Sequence, residues 1–487
     1  MSSVMKVLKL FVPVIVALVV YVLPTPEGLS NASWLYFSIF LGVVVGLILE
    51  PIPAALVGLV GVGVCIWLKV GPVGSGVDGA QIASKVAVSW GLAGFSNSTV
   101  WLIFAAFMIG LGYQRSGLGK RIALFLVKTL GKTTLGLGYA ISIADLILAP
   151  FIPSNSARSG GTLYPIVNSI PPMMGSYPDK EPRKVGAYLV WVSLAATCVT
   201  SSMFFTALAP NLLAMETAVK SGVEPISWFG WFMAFLPAGI ILFLLTPFLT
   251  YILYPPTLKG SSEAQKWAQE ELGKIGKMSI KEWLMIALAV FALVFWIGGD
   301  TFGVDATTVA LSVMIGMVLL GIISWDDVLG NKSAWSVLAW FGSLVTLAGG
   351  LKNVGFLEFI AKIGGEYLGH FDALTAMIGL IVLFYLLHYF FASTTSHVTA
   401  LLALFITVAM GIDGIDVREL TLFLMLSLGI MGIITPYGTG PSPVWFGSGF
   451  VSGKDFWRLG FIFGMLYLVV FLVITIPWVR YVAHAWL

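Results

Sequence analysis

The chain has 487 residues, of which 58% are hydrophobic and only 10% charged, whereas a soluble domain carries about 25% charged residues. A large soluble protein still needs a polar coat, so the composition excludes a soluble fold and leaves a protein that crosses a bilayer many times. A net charge of +3, with no basic stripe among aromatics, excludes nucleic acid as a partner.

A spanning helix needs about 20 mostly apolar residues. In chain order the stretches that qualify are 8–23, 34–50, 52–70, 98–117, 185–213, 228–253, 282–298, 304–323, 335–351, 417–446 and 456–482. These make about eleven spans of an all-α membrane protein. The flank of the first, Pro24-Thr25-Pro26-Glu27, lacks a small-x-small cleavage pattern, so 8–23 reads as an uncleaved transmembrane helix within an N-terminal unit 1–33. Two further apolar stretches, 134–170 and 374–410, are interrupted by polar tips, Pro150-Phe151-Ile152-Pro153-Ser154-Asn155-Ser156 and Ser393-Thr394-Thr395-Ser396. Each reads as a re-entrant hairpin that enters and leaves on one side. Irregular backbone at membrane depth is tolerated only inside protein or beside a water-filled cavity, so both tips are site candidates. The long polar stretch 258–281 reads as a partly helical cytoplasmic linker between a first repeat, 34–257, and a second, 282–487.

The 26 lysines and arginines test this topology. With a cytoplasmic N-terminus, about 18 fall inside and 7 outside, leaving Arg158 at a hairpin tip. The halves also echo each other. Thr99-Val100 and Phe104 align with Ser336-Val337 and Phe341, Gly117 with Gly355, and Ala209-Pro210-Asn211 with Gly440-Pro441-Ser442. The charge assignment opens the first hairpin inward and the second outward, so the repeats are expected to be inverted, with a site near the midplane where they meet.

The tips offer hydroxyl and amide side chains followed by helix N-termini, which attract anions. The broken spans add exposed carbonyls and hydroxyls around 206–211 and in Thr435-Pro436-Tyr437-Gly438-Thr439-Gly440-Pro441-Ser442-Pro443, which prolines and glycines keep from continuing as helix. One tip per carboxylate suits a dicarboxylate. The bland alternative is that all four breaks are ordinary caps and kinks. Cys65 and Cys198 sit in apolar stretches without zinc spacing. His370, His388 and His484 form no metal-ligand pattern, and no metal or cofactor is expected. Asp145, an intramembrane carboxylate, could pair with a cation or relay a proton. Gly447-Ser448-Gly449 lacks a partner histidine for hydrolysis, and no Walker motif points to ATP.

Two tips beginning with Ser and continuing with Asn or Thr, each followed by a Pro/Gly-rich broken helix, resemble the divalent anion/sodium symporter family. The family pattern is Ser-Asn-Thr; here the tips read Ser154-Asn155-Ser156 and Ser393-Thr394-Thr395. The resemblance, from about residue 34 onward, implies di- and tricarboxylate transport by a homodimer with a scaffold, a moving transport domain and an elevator motion. It implies that Asn155, Ser156, Thr394 and Thr395 touch substrate carboxylates. Ser154 and Ser393 would lie where sodium sites form in symporters, and loops marked by Pro210 with Asn211 and by Thr439-Gly440-Pro441 would complete the site. The chain departs from a symporter in its basic residues: Arg158 lies four positions after Ser154, and His397 four after Ser393. A buried arginine usually has a function or a partner. Both residues are expected to replace sodium as the positive charge facing a dianion, which resembles the branch of 2-oxoglutarate/malate translocators and citrate/succinate antiporters. An unpaired Arg158 would make return of the empty carrier slow. Exchange of 2-oxoglutarate, malate, succinate or fumarate without sodium is therefore expected, in a bacterial inner membrane because no organelle transit peptide is present. If Arg158 instead bonds a hairpin carbonyl and His397 is structural, sodium-coupled symport is the better reading; a channel or a membrane-embedded hydrolase is the alternative of another class.

Overall fold

Apolar runs bounded by capping side chains account for the helices. Asn97 accepts from the Thr99 and Val100 amides to start Ser98–Ser116, and Asp372 accepts from Thr375 to start Ala373–Leu387. The computed structural model describes residues 3–49, 51–260, 262–368 and 370–482; Glu50, expected to end a span, and His484 lie outside the described residues. The fold is all-helical, and among the described residues the only β pairing is one isolated bridge, Thr133 with Gly260.

Eight helices among the described residues are long and apolar enough to cross a membrane, up to nine if the bent pair Ser84–Ser96 and Ser98–Ser116 is one span. This is fewer than the eleven read from sequence, for physical reasons. Ala54–Leu68 and Ala306–Leu319 are short helices of 15 and 14 residues, and the expected span 417–446 breaks into Val417–Ile430, Met431–Ile433 and Ser442–Gly447. Two of the eight, Thr134–Phe151 and Ala373–Phe390, are the first halves of the stretches expected to be re-entrant hairpins.

The order of elements recurs in the two halves. Ser98–Ser116 is followed by Gly117 and then Leu118–Leu130; Lys332–Asn353 is followed by Gly355 and then Phe356–Leu368. Both glycines sit at φ 80°, a left-handed conformation that lets the chain turn sharply between helices. Leu118–Leu130 and Phe356–Leu368 fall outside the spans expected from sequence because each is 13 residues long and interrupted by charges such as Lys120, Arg121 and Lys362. Next comes an interrupted hairpin, with Thr134–Leu148, Ala149–Phe151, the π-helix Ser156–Leu163 and Tyr164–Met173 in the first half. Ala373–Leu387, His388–Phe390, Thr394–His397, the π-helix Val398–Leu402 and Ala403–Met410 follow the same plan in the second. A broken helix completes each half: Gly186–Met203, Phe205–Ala207 and Ala209–Ser221 answer the three pieces beginning at Val417.

The core sits on Gly186–Met203, buried along its whole length. Its small residues Ser193, Ala195, Ala196 and Thr197 let neighbours approach. By contrast Ile280–Ile297 is only 28% buried, with Val290, Phe291 and Val294 outward, as suits a lipid-facing helix. The expected linker holds one helix, Glu263–Ile275. It is tied to Leu118–Leu130 by Lys120–Glu271 at 3.3 Å and by Gln265 Nε2 donating to the Lys128 carbonyl at 2.8 Å.

Candidate functional site

The two tips are built alike. Ser154 Oγ accepts from the Ala157 amide at 3.2 Å, and Ser393 Oγ accepts from the Ser396 amide at 3.1 Å. The Ser154 carbonyl accepts from the Arg158 amide and the Ser393 carbonyl from the His397 amide, at 2.8 and 3.2 Å. Each tip serine therefore caps the helix that follows it, and its side chain is half-buried.

From the tips the structure brings residues of both halves together. Asn155 Nδ2 donates to Thr439 Oγ1 at 2.7 Å, joining the first tip to the second broken helix. Ser156 is exposed and lies against Gly440, where an added Cβ would overlap its hydroxyl. Thr394 Oγ1 donates to the Gly438 carbonyl at 3.3 Å, bringing the second tip to the same loop. Thr395 is half-buried, and Pro441 caps Ser442–Gly447. Asn155, Ser156, Thr394, Thr439 and Gly440 thus converge. Pro210 and Asn211 instead stay within their own break: Pro210 opens Ala209–Ser221, and Asn211 Nδ2 donates to the Ser201 carbonyl at 2.8 Å.

Arg158 departs from the sequence expectation of a free charge. It is fully buried, and all five of its N–H groups are taken. Nε donates to Asp145 Oδ1 at 3.1 Å, Nη1 to the Ile152 and Ala207 carbonyls at 2.9 and 2.8 Å, and Nη2 to Thr200 and Ser201 at 3.3 and 3.1 Å. Asp145 also accepts from Thr197 at 2.6 Å and from Thr200. The guanidinium therefore clamps the first tip to the first broken helix, with its charge cancelled locally. This corrects the expectation of an unpaired cation crossing the barrier: the hairpin supplies the counter-ion, on an arm facing Arg158.

His397 is also fully buried. Phe384, Phe391 and His388 surround it, with ring centroids at 4.3, 5.0 and 5.1 Å, and neither ring nitrogen has a partner. His388, read from sequence only as an arm residue, donates from Nε2 to the Gly438 carbonyl at 2.8 Å. Sequence reasoning missed it because it joins the site only through the Gly438 carbonyl, fifty positions away in the loop of the second broken helix. Among the described residues no cluster of His, Cys, Asp and Glu could hold a metal ion.

The family profile for the sodium:sulfate symporter transmembrane region matches residues 4–485. L-tartrate/succinate antiporters of Escherichia coli K12 and Shigella flexneri are each 45% identical over 471 residues, covering 96% of this chain and 96% of theirs. Among solved structures, the Alcanivorax borkumensis YdaH transporter aligns with a TM-score of 0.57 at 14% identity, over 93% of this chain and 99% of that one. Neisseria gonorrhoeae MtrF aligns at 0.56 and 11%, over 93% and 96%. At such identities these two structures are similar in fold alone.

Proposed function

The chain belongs to the divalent anion/sodium symporter family, that of the sodium:sulfate symporter transmembrane region, and from that premise we propose that it exchanges dicarboxylates across the membrane without sodium. Succinate and L-tartrate, which the 45% identical relatives are named for, are the first substrates, with malate, fumarate and 2-oxoglutarate in the same chemical class. The converging hydroxyls and amides of Asn155, Ser156, Thr394 and Thr439 are the groups we assign to the carboxylates. We extend the proposal to a homodimer in an inner membrane, with a cytoplasmic N-terminus, re-entrant inverted hairpins and an elevator motion of the hairpins and broken helices against the remaining helices.

The observation that carries the sodium-free reading is the clamp around Arg158. A sodium ion in the first half would need carbonyl and hydroxyl oxygens of the tip and the break. The guanidinium donates to those of Ile152, Ala207, Thr200 and Ser201, which supports its standing where a sodium ion would, although one of its bonds is to a hairpin carbonyl. Coupling to exchange then follows from desolvation rather than from a free charge. An empty cup must shed water from its polar groups to cross, and without a substrate nothing replaces those hydrogen bonds.

A second reading, sodium-coupled symport, draws on three buried oxygens without partners, Asn211 Oδ1, Thr435 Oγ1 and Ser442 Oγ, which are acceptors of the kind sodium takes. Labelled succinate uptake into proteoliposomes separates the two. Uptake only into vesicles preloaded with L-tartrate supports exchange; uptake into empty vesicles driven by a sodium gradient supports symport.

A further inference from the structure

The two halves treat their basic residue differently. Arg158 and His397 each lie four positions past a tip serine, and nine positions before those serines stand Asp145 and Phe384. The first half thus places a carboxylate against its cation, while the second places an aromatic ring edge-on at 4.3 Å against a histidine. Arg158 is the one fully buried lysine or arginine among the described residues, and its charge is used by Asp145. A dicarboxylate bound at the tips therefore finds no unpaired fixed cation within the core.

The His388–His397 pair can supply one. A carbonyl only accepts, so the contact with Gly438 places the His388 proton on Nε2 and leaves Nδ1 as a lone pair. That nitrogen and both nitrogens of His397 are buried without partners. The pair is close to the site: the Gly438 carbonyl also receives Thr394, and the next residue, Thr439, receives Asn155. Histidine is the side chain whose charge changes near neutral pH.

The titratable groups on the surrounding elements leave these rings free. On the hairpin's own arm, the Tyr385 hydroxyl donates to the Gly464 carbonyl at 2.9 Å, and Tyr389 stacks on Trp457. On Asn31–Leu49, Tyr36 donates to the Leu347 carbonyl. On Ala209–Ser221, Glu216 faces Lys220 and Thr99. On Val417–Ile430, Glu419 pairs with Arg480, and Arg418 with Glu224. On Gly453–Val470, Tyr467 bonds Thr246, and Arg458 pairs with Asp455. Glu50 lies outside the described residues.

Resting on the exchange reading above, we propose that the His388–His397 pair takes up one proton when a dicarboxylate binds, and that the proton rides on the protein through translocation. A solvent acid gives up the proton, and a ring-nitrogen lone pair of the pair accepts it to form an imidazolium. The incoming dianion favours that charge. Because the loaded carrier holds more protons than the empty one, affinity rises as pH falls across the titration.

Calorimetric titration of the purified full chain with succinate, and separately with L-tartrate, tests this in phosphate and in Tris, buffers of different ionisation enthalpy. The expected result is a buffer-dependent heat corresponding to about one proton taken up per bound ligand. In His397→Gln, with folding checked by thermal melting, the remaining binding heat should lose that dependence. Binding heat identical in both buffers for the wild type overturns proton uptake and leaves the exchange reading standing. No binding heat with either ligand overturns both.

Discussion

Asp145 and Arg158 form a fully buried ion pair, at 3.1 Å, between the two arms of the first hairpin. It stands where one half of the fold meets its own broken helix, and it supplies the counter-charge that lets an arginine lie fully buried. Removing one partner leaves an uncompensated buried charge, which costs about 3–5 kcal/mol. Asp145→Ala should therefore lower the melting temperature sharply. Asp145→Leu combined with Arg158→Met should recover much of that loss, since a well-packed apolar pair replaces a buried ion pair at little cost. Thermal melts of the singles and the double measure this coupling.

Gly440 lies so close to the first tip that an added Cβ would overlap Ser156 Oγ, with Asn155 Oδ1 at 3.4 Å. The serine hydroxyl can rotate away, so Gly440→Ala should fold normally. It should bind succinate about tenfold or more weakly, the loss of a hydrogen bond to a charged group. Gly447→Ala, seven residues along in open space, is the control and should bind as the wild type does.

Asn155 and Thr439 join the halves through one hydrogen bond. Asn155→Ala and Thr439→Val should each weaken substrate binding, and their double mutant should lose less than the sum by about 0.5–3 kcal/mol. Strict additivity in binding assays would mean that the contact plays no part in the site.

Outside the membrane core, Asp78 accepts from the Ala32 amide at 2.9 Å and from Asn31 Nδ2 at 3.1 Å, bracing the start of Asn31–Leu49. The amides of Ala32 and Asn31 hold its carboxyl below the usual value. A lowered value means the brace is complete above the ordinary carboxylate range and is lost as pH falls through the folded value. Protection factors at the first turn of Asn31–Leu49, taken against the intrinsic exchange rate at each pH, should fall in acid, and Asp78→Ala should show the lower protection already at neutral pH.

Much of this architecture was legible because it repeats. Ser154 and Ser393, each with a basic residue four positions on, stand out without any structure, and their matching cap bonds confirm that the short motifs report matching backbone. The helix Glu263–Ile275 falls within the polar stretch expected to be partly helical. Asp145 was visible as an odd carboxylate, but its partner was not: thirteen residues separate it from Arg158 in sequence, and only the closed hairpin sets them side by side. His388 was hidden because its partner, the Gly438 carbonyl, lies fifty positions on in another element. The short helices Leu118–Leu130 and Phe356–Leu368 escaped because a test for spanning length discards helices too short and charged to cross.

The measurement that bears most directly on the central claim is the initial rate of succinate entry into L-tartrate-loaded proteoliposomes as sodium is replaced by choline at constant ionic strength. With the first half's oxygens of Ile152, Ala207, Thr200 and Ser201 already bonded to Arg158, the rate should not change across the whole replacement. A rate that climbs and saturates with sodium would contradict the account.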